Sequence, residues 1–167
     1  MKNQNSPRGK FYFLQHKDLW GTDAKEHCHI SNIILSHMVL VIGRTDIGPG
    51  WVTVVTVRVH HPNIRCSTIL TGHYQVTKTV NEHIDNDFYI PIRPTPKNRK
   101  TNMQLKLCDD PWGDTGFSWR SLLRVDAVHE VPREILVEQR SYGRQLELQE
   151  QSYNRLLHFM RQISVIH

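Results

Sequence analysis

The residues with chemistry to offer in this chain are its eleven histidines, its 21 lysines and arginines and a few of its tryptophans. An unperturbed imidazole titrates close to neutral pH, so histidines are the first candidates for proton transfer. His27-Cys28-His29 suggests a metal, because in an extended segment His27 and His29 would share a face. A third ligand would have to come from His37, Cys66, His73 or His83, and no regular ligand spacing joins any of them to the pair. The competing reading is surface histidines around a packed cysteine, and no metal or cofactor is expected. Residues 93–101 hold Arg93, Lys97, Arg99 and Lys100 among Pro94 and Pro96, an exposed basic loop suited to phosphate contact. Trp112, Phe117 and Trp119 follow it and offer faces for base stacking, against the plainer reading of aromatic packing. Trp112, in an Asp-Pro-Trp-Gly turn, reads as a loop residue, whereas Trp20 and Trp51 read as core or rim.

The elements that must position these groups read as mainly β. Phe11, Phe13 and Leu14 form a short strand ended by Gly21-Thr22-Asp23, and residues 25–36 are ambiguous. Met38-Val39-Leu40-Val41-Ile42 is a continuous apolar run, a central strand stopped by Gly43. The β-branched run Trp51 to Val59 pairs with it as a hairpin, and Pro62-Asn63 closes it. Residues 63–87 read as an inserted loop with fragments of strand. Phe88-Tyr89-Ile90-Pro91-Ile92 is an edge strand, since proline is tolerated there. Met103, Leu105 and Leu107 alternate with polar residues as in a half-buried strand, and residues 121–131 supply another, with Leu123, Val125, Ala127 and His129 on one face. Tyr153, Leu156, Leu157, Met160 and Ile163 recur at helical spacing and predict a C-terminal helix over about residues 144–164.

At 167 residues the chain fits one domain, residues 11–167, after a basic leader, residues 1–10, expected to be disordered. No apolar run approaches the ~20 residues of a membrane span. The N-terminus lacks the apolar core of a secretory signal, and three cysteines at wide spacing make no disulfide framework. A cytoplasmic protein is expected, with the nucleus open as well. A net charge of +5 favours anionic partners, although solubility alone also accounts for it.

Three pieces, in order, resemble the MazF/PemK family. Lys17-Asp18-Leu19-Trp20 stands where the family opens with Gly-Asp-Ile-Trp, and His37-Met38-Val39-Leu40-Val41-Ile42 where it has Arg-Pro-Val-Leu-Val-Ile. The segment from Ser121 through Pro132 is similar to its Ser-x-x-x-x-Asp-x-x-x-x-(Val/Ile) stretch. The resemblance spans roughly residues 17–163. It implies a small SH3-like or CcdB-like barrel with a C-terminal helix, often dimeric, and single-stranded RNA as ligand. Many bacterial members cut RNA without a metal, by attack of the 2′-hydroxyl on the adjacent phosphate. The family's arginine aligns with His37 and its Ser/Thr falls on or near His60, so the inherited catalytic pair is replaced by two histidines. His37 and His60 are then the candidate acid and base, with Arg58, Arg44 or Arg93 as phosphate clamps. The competing readings are a polar residue entering a strand at His37 and a hydrophilic turn at His60-His61. The alternative function is a non-catalytic module for protein interaction or homodimerisation, built on the same helix and barrel.

Overall fold

The computed structural model describes residues 6–60, 88–108, 120–141 and 143–167. The expected insertion at residues 63–87, with Cys66, His73 and His83, and the aromatics Trp112, Phe117 and Trp119 lie outside the described residues. The strands are β1 (Phe11–Leu14), β2 (Met38–Arg44), β3 (Trp51–His60), β4 (Tyr89–Ile92), β5 (Arg120–Arg124), β6 (His129–Pro132), β7 (Leu136–Glu138), β8 (Arg140–Ser141) and β9 (Arg144–Gln145). The helices are α1 (Thr22–His27), α2 (Asn32–Leu35) and the C-terminal α3 (Glu150–Gln162).

The architecture is mainly β, an antiparallel seven-stranded sheet with one longer C-terminal helix. Its ladders run β4-β5-β3-β2-β1-β7, with β6 also on β3, and they do not close into a barrel. The β2–β3 hairpin stands as its residues predict, and its register shifts between Val41 and Gly43. β3 is long enough to use both edges: β2 takes one, and β5 and β6 take successive parts of the other.

The continuous apolar run of β2 is explained by burial on both faces. Met38, Leu40 and Ile42 join Val55, Val57, Leu123, Ile90 and Ile92 in a core capped by Leu156 and Met160 of α3. Val39 and Val41 join Val52, Val54, Tyr12 and Leu14 in a second core under Trp20, Ala24 and Cys28. The ambiguous residues 25–36 thus hold the end of α1 and all of α2, short helices over the second face, with Ser31 capping α2 through Ile34 N–H.

Residues 121–131 are not one strand. Between the pairs Val57–Leu123 and Val54–His129, β3 advances three residues while its partner advances six. The odd surplus turns the side chains over, so His129 lies on the face opposite Leu123, a correction to the single-face expectation. The helix also starts later than expected, at Glu150. Residues ahead of it run extended, with β9 pairing β8, Glu147 bridging Lys10 and Leu148 bridging Leu107. Gly9, within the expected leader, donates its N–H to the Val41 carbonyl and accepts from Leu148 N–H.

Thr95, fully buried, ties the loop after β4 to β5. Its hydroxyl accepts from Ser121 N–H at 2.7 Å and donates to the Ser121 carbonyl at 3.1 Å. Thr95→Val keeps the shape and removes both bonds inside a buried site; it is expected to cost about 1–3 kcal/mol, read as a lower urea midpoint.

Candidate functional site

Side chains alternate along β3, so Thr56 and Arg58 occupy the face opposite Val55 and Val57. That face is covered by α1 and its neighbours over Val52 and Val54, and the cover gives way toward the Arg58 end. The Arg58 guanidinium carbon stands 5.3 Å from the centre of the Tyr89 ring on β4, within range of a cation–π contact. Tyr89 in turn pairs across the ladder with Arg124 of β5. Arg124 grips Asp126 with two bonds, Nε to Oδ1 at 2.6 Å and Nη2 to Oδ2 at 3.1 Å. These bonds hold the Asp126 carboxyl below its ordinary range, helped by the more distant charge of Arg58, and raise Arg124.

His37 immediately precedes Met38, whose ladder partner is Val57, so continuing the register sets His37 opposite Arg58. Its N–H donates to the Ile34 carbonyl, which fixes its backbone at the end of α2. His60 ends β3 opposite Arg120. Ile92 pairs with Ser121, so Arg93 follows β4 beside the position that Arg120 takes on β5. His37, Arg58, His60 and Arg93 therefore gather at one end of the sheet.

The other predicted residues do not join them. Arg44 closes β2 at its far end, opposite Val52; seven residues of strand separate it from His37, about 23 Å. Lys97, Arg99 and Lys100 are exposed on the loop beyond β4. Asn98 shapes that loop: its Oδ1 accepts from Lys100 and Thr101 N–H at 2.8 and 3.0 Å, and its Nδ2 donates to the Tyr89 carbonyl. No protein-family model matches the sequence, and no curated protein matches it.

Sequence reasoning missed Tyr89, Arg124, Asp126 and His129 as site residues. The Arg-x-Asp spacing at 124 and 126 was a local signal for the first pair. His129 was hidden by the assumption of an unbroken strand. Cys28 is buried in the second core, where burial pushes its thiol up. His27 folds back on its own helix, its Nδ1 3.1 Å from both the Asp23 carbonyl and its carboxylate. Among the described residues no three His, Cys, Asp or Glu side chains converge as metal ligands, and no helix is long and apolar enough to cross a membrane.

Burial, and then Arg124, lower the affinity of His129 for a proton. The unfolded chain therefore binds more protons than the folded one once the pH falls below the unfolded imidazole value of about 6.5. The stability this group contributes is complete above that value and is lost as the pH falls toward the folded one. The urea midpoint is expected to drop between pH 7.5 and 5.5, and His129→Gln to flatten that drop. Asp126 acts with the same sign lower down, below its ordinary carboxylate range.

Proposed function

We propose that this chain is an RNA-directed protein of the MazF/PemK kind, which holds single-stranded RNA across the Arg58 end of its sheet and cleaves it without a metal. The observation that carries the reading is the convergence of arginines there. Arg58 over the Tyr89 ring and Arg124 on β5 carry the charge, with Asp126 bonded to Arg124, and the backbone positions of His37, His60, Arg120 and Arg93 follow toward the same strand ends. A concentrated basic patch is the electrostatic footprint of a nucleic-acid site in a way that net charge alone is not.

The barrel belongs to this proposal too. Beyond the ladders, Leu105 exchanges hydrogen bonds with Pro91 and Arg93, Cys108 and Gln149 with Glu147 and Lys106, and Leu148 and Phe11 with Gly9 and Leu146. These short segments link β4 back to β1, as a small SH3-like or CcdB-like barrel requires.

The chemistry follows from the residue types. A base takes the proton of the 2′-hydroxyl, the 2′-oxygen bonds to phosphorus, and the bond to the 5′-oxygen breaks as an acid protonates that leaving oxygen. The products are a 2′,3′-cyclic phosphate and a 5′-hydroxyl. His37 and His60 serve as the acid–base pair, while Arg58 stabilises charge on the phosphoryl oxygens.

Affinity for a labelled single-stranded RNA across a salt series tests the binding step. Three phosphate contacts give a slope of about −2 in log affinity against log salt, and Arg58→Gln is expected to reduce its magnitude by about 0.7. Absent affinity overturns the reading. The second reading, a non-catalytic dimerisation or docking module, is favoured by the apolar pair Phe13 and Val137, ladder partners on the β1–β7 side that are 41% and 47% exposed. Self-association that does not weaken with salt, in a protein without RNA affinity, selects it.

A further inference from the structure

We propose that the groove between the end of the basic loop and α3 is a nucleobase site, which takes one base of the same RNA strand; the inference rests on the RNA reading above. The groove is an open cleft of about 910 Å³, with Thr101 and Met103 on one wall and Asn154, Arg155, His158 and Phe159 on the other. α3 turns Leu156 and Met160 into the core, so Asn154, Arg155 and His158 are left exposed on its outer side and Phe159 half-buried.

Each requirement of base recognition is met by a different residue. The half-buried Phe159 supplies an apolar surface against which a base can lie, backed by the buried Met103, and aromatic–base contact of this kind accepts any base. Asn154 carries an amide that both donates and accepts, the capacity needed to tell one base edge from another. Arg155 on the helix and Lys100 on the loop flank the opening as phosphate partners. Neither they nor Lys97, Arg99 and His158 form an ion pair with any described residue. Glu150 is the only carboxylate among the lining residues. The opening therefore favours a polyanion over an acidic or neutral peptide.

The wall is held in shape before any ligand arrives. Asn98 accepts from Lys100 and Thr101 N–H, and its own N–H donates to the Met103 carbonyl at 3.0 Å. Asn102, at φ 54°, takes the left-handed turn that brings the chain back to Met103, a conformation asparagine tolerates well. On the opposite side, Ser152 Oγ accepts from Lys106 N–H at 3.0 Å and fastens the start of α3 to the strand after the loop. Through Asn98 the loop is also bonded to the Tyr89 carbonyl of β4, so a strand bound in the groove on the α3 side would pass over the β4 edge to reach Arg58 on the other face of the sheet.

The test measures the affinity of the full chain for four homopolymeric hexanucleotides of A, C, G and U, with Arg58→Gln, Asn154→Ala and Arg155→Gln beside the wild type. All three positions are at least partly exposed, and none supplies core packing. The wild type is expected to rank the four bases over a range of about five-fold or more. Asn154→Ala is expected to compress that range, and Arg155→Gln to weaken all four by a similar factor. If both groove variants bind all four as the wild type does while Arg58→Gln binds more weakly, the groove proposal is overturned and the sheet-face reading stands. If the wild type binds none of the four, the RNA reading itself is overturned.

Discussion

His37→Ala is expected to slow cleavage of a labelled single-stranded RNA in EDTA by about 10²–10⁴-fold, the usual contribution of a positioned acid or base. Met38 pairs with Val57, so the backbone of His37 lies next to that of Arg58, and in the proposed mechanism the phosphate held by that guanidinium is the one the imidazole serves. His60→Ala is expected to produce a comparable loss, because the reaction needs a proton taken from one oxygen and another given to a second. Removing either partner stalls the same step, and the double variant should therefore be little worse than either single one. The backbone role of His37, its N–H donating to the Ile34 carbonyl, survives the change to alanine. Urea midpoints of each variant, measured beside its rate, separate lost chemistry from lost fold. Unchanged rates in both variants would sink the histidine mechanism. No cleavage by the wild type between about pH 5 and 8, where imidazoles change charge, would leave binding or docking as the function.

What the sequence made legible in the fold is what periodicity encodes directly. The β2–β3 hairpin is announced by an apolar run and a β-branched run on either side of a glycine-rich turn, and both runs are dense because both sheet faces are covered. The α3 stripe was equally plain, with Leu156 and Met160 fully buried. Residues 136–141 and 143–149 are harder, since their places are set largely by backbone bonds. Glu147 bridges Lys10 and Gln139 N–H donates to the Phe11 carbonyl, and neither event leaves a mark in hydrophobicity. α1 and α2 are too short for a period of 3.6 to declare itself.

The candidate site was legible where it depends on residue type and hidden where it depends on register. His37 and Arg58 read as chemically capable from residue type alone. Their opposition follows from a ladder that only pairing reveals. Tyr89 reads as one more apolar strand residue until Arg58 is found over its ring. Asn98 reads as loop polarity, yet it is about 1% exposed and carries the shape of the whole basic loop. A buried asparagine with bonds to two backbone N–H groups is an organising residue, and nothing in its sequence neighbourhood distinguishes it from its exposed neighbours.

Phe11→Ala is expected to cost about 3–5 kcal/mol of stability, the range for deleting a buried aromatic side chain. Phe11 is fully buried in the core that holds Leu40, Leu148, Leu156 and Met160. Its backbone is bonded on both sides, N–H to the Leu146 carbonyl and carbonyl to Gln139 N–H and Gln145 Nε2. Alanine keeps all of those bonds, so the loss measures the side chain and its cavity rather than the strand. Phe13, two residues on and paired with Val137, is 41% exposed, and Phe13→Ala is expected to cost under about 1 kcal/mol, since little apolar surface returns to water. Against a total stability of about 5–15 kcal/mol, the first substitution threatens folding and the second does not. Urea unfolding of the two variants decides whether β1 faces the helix-side core through Phe11. Equal losses would mean that the two phenylalanines are equally buried, and the burial of Phe11 beneath α3 would then be wrong.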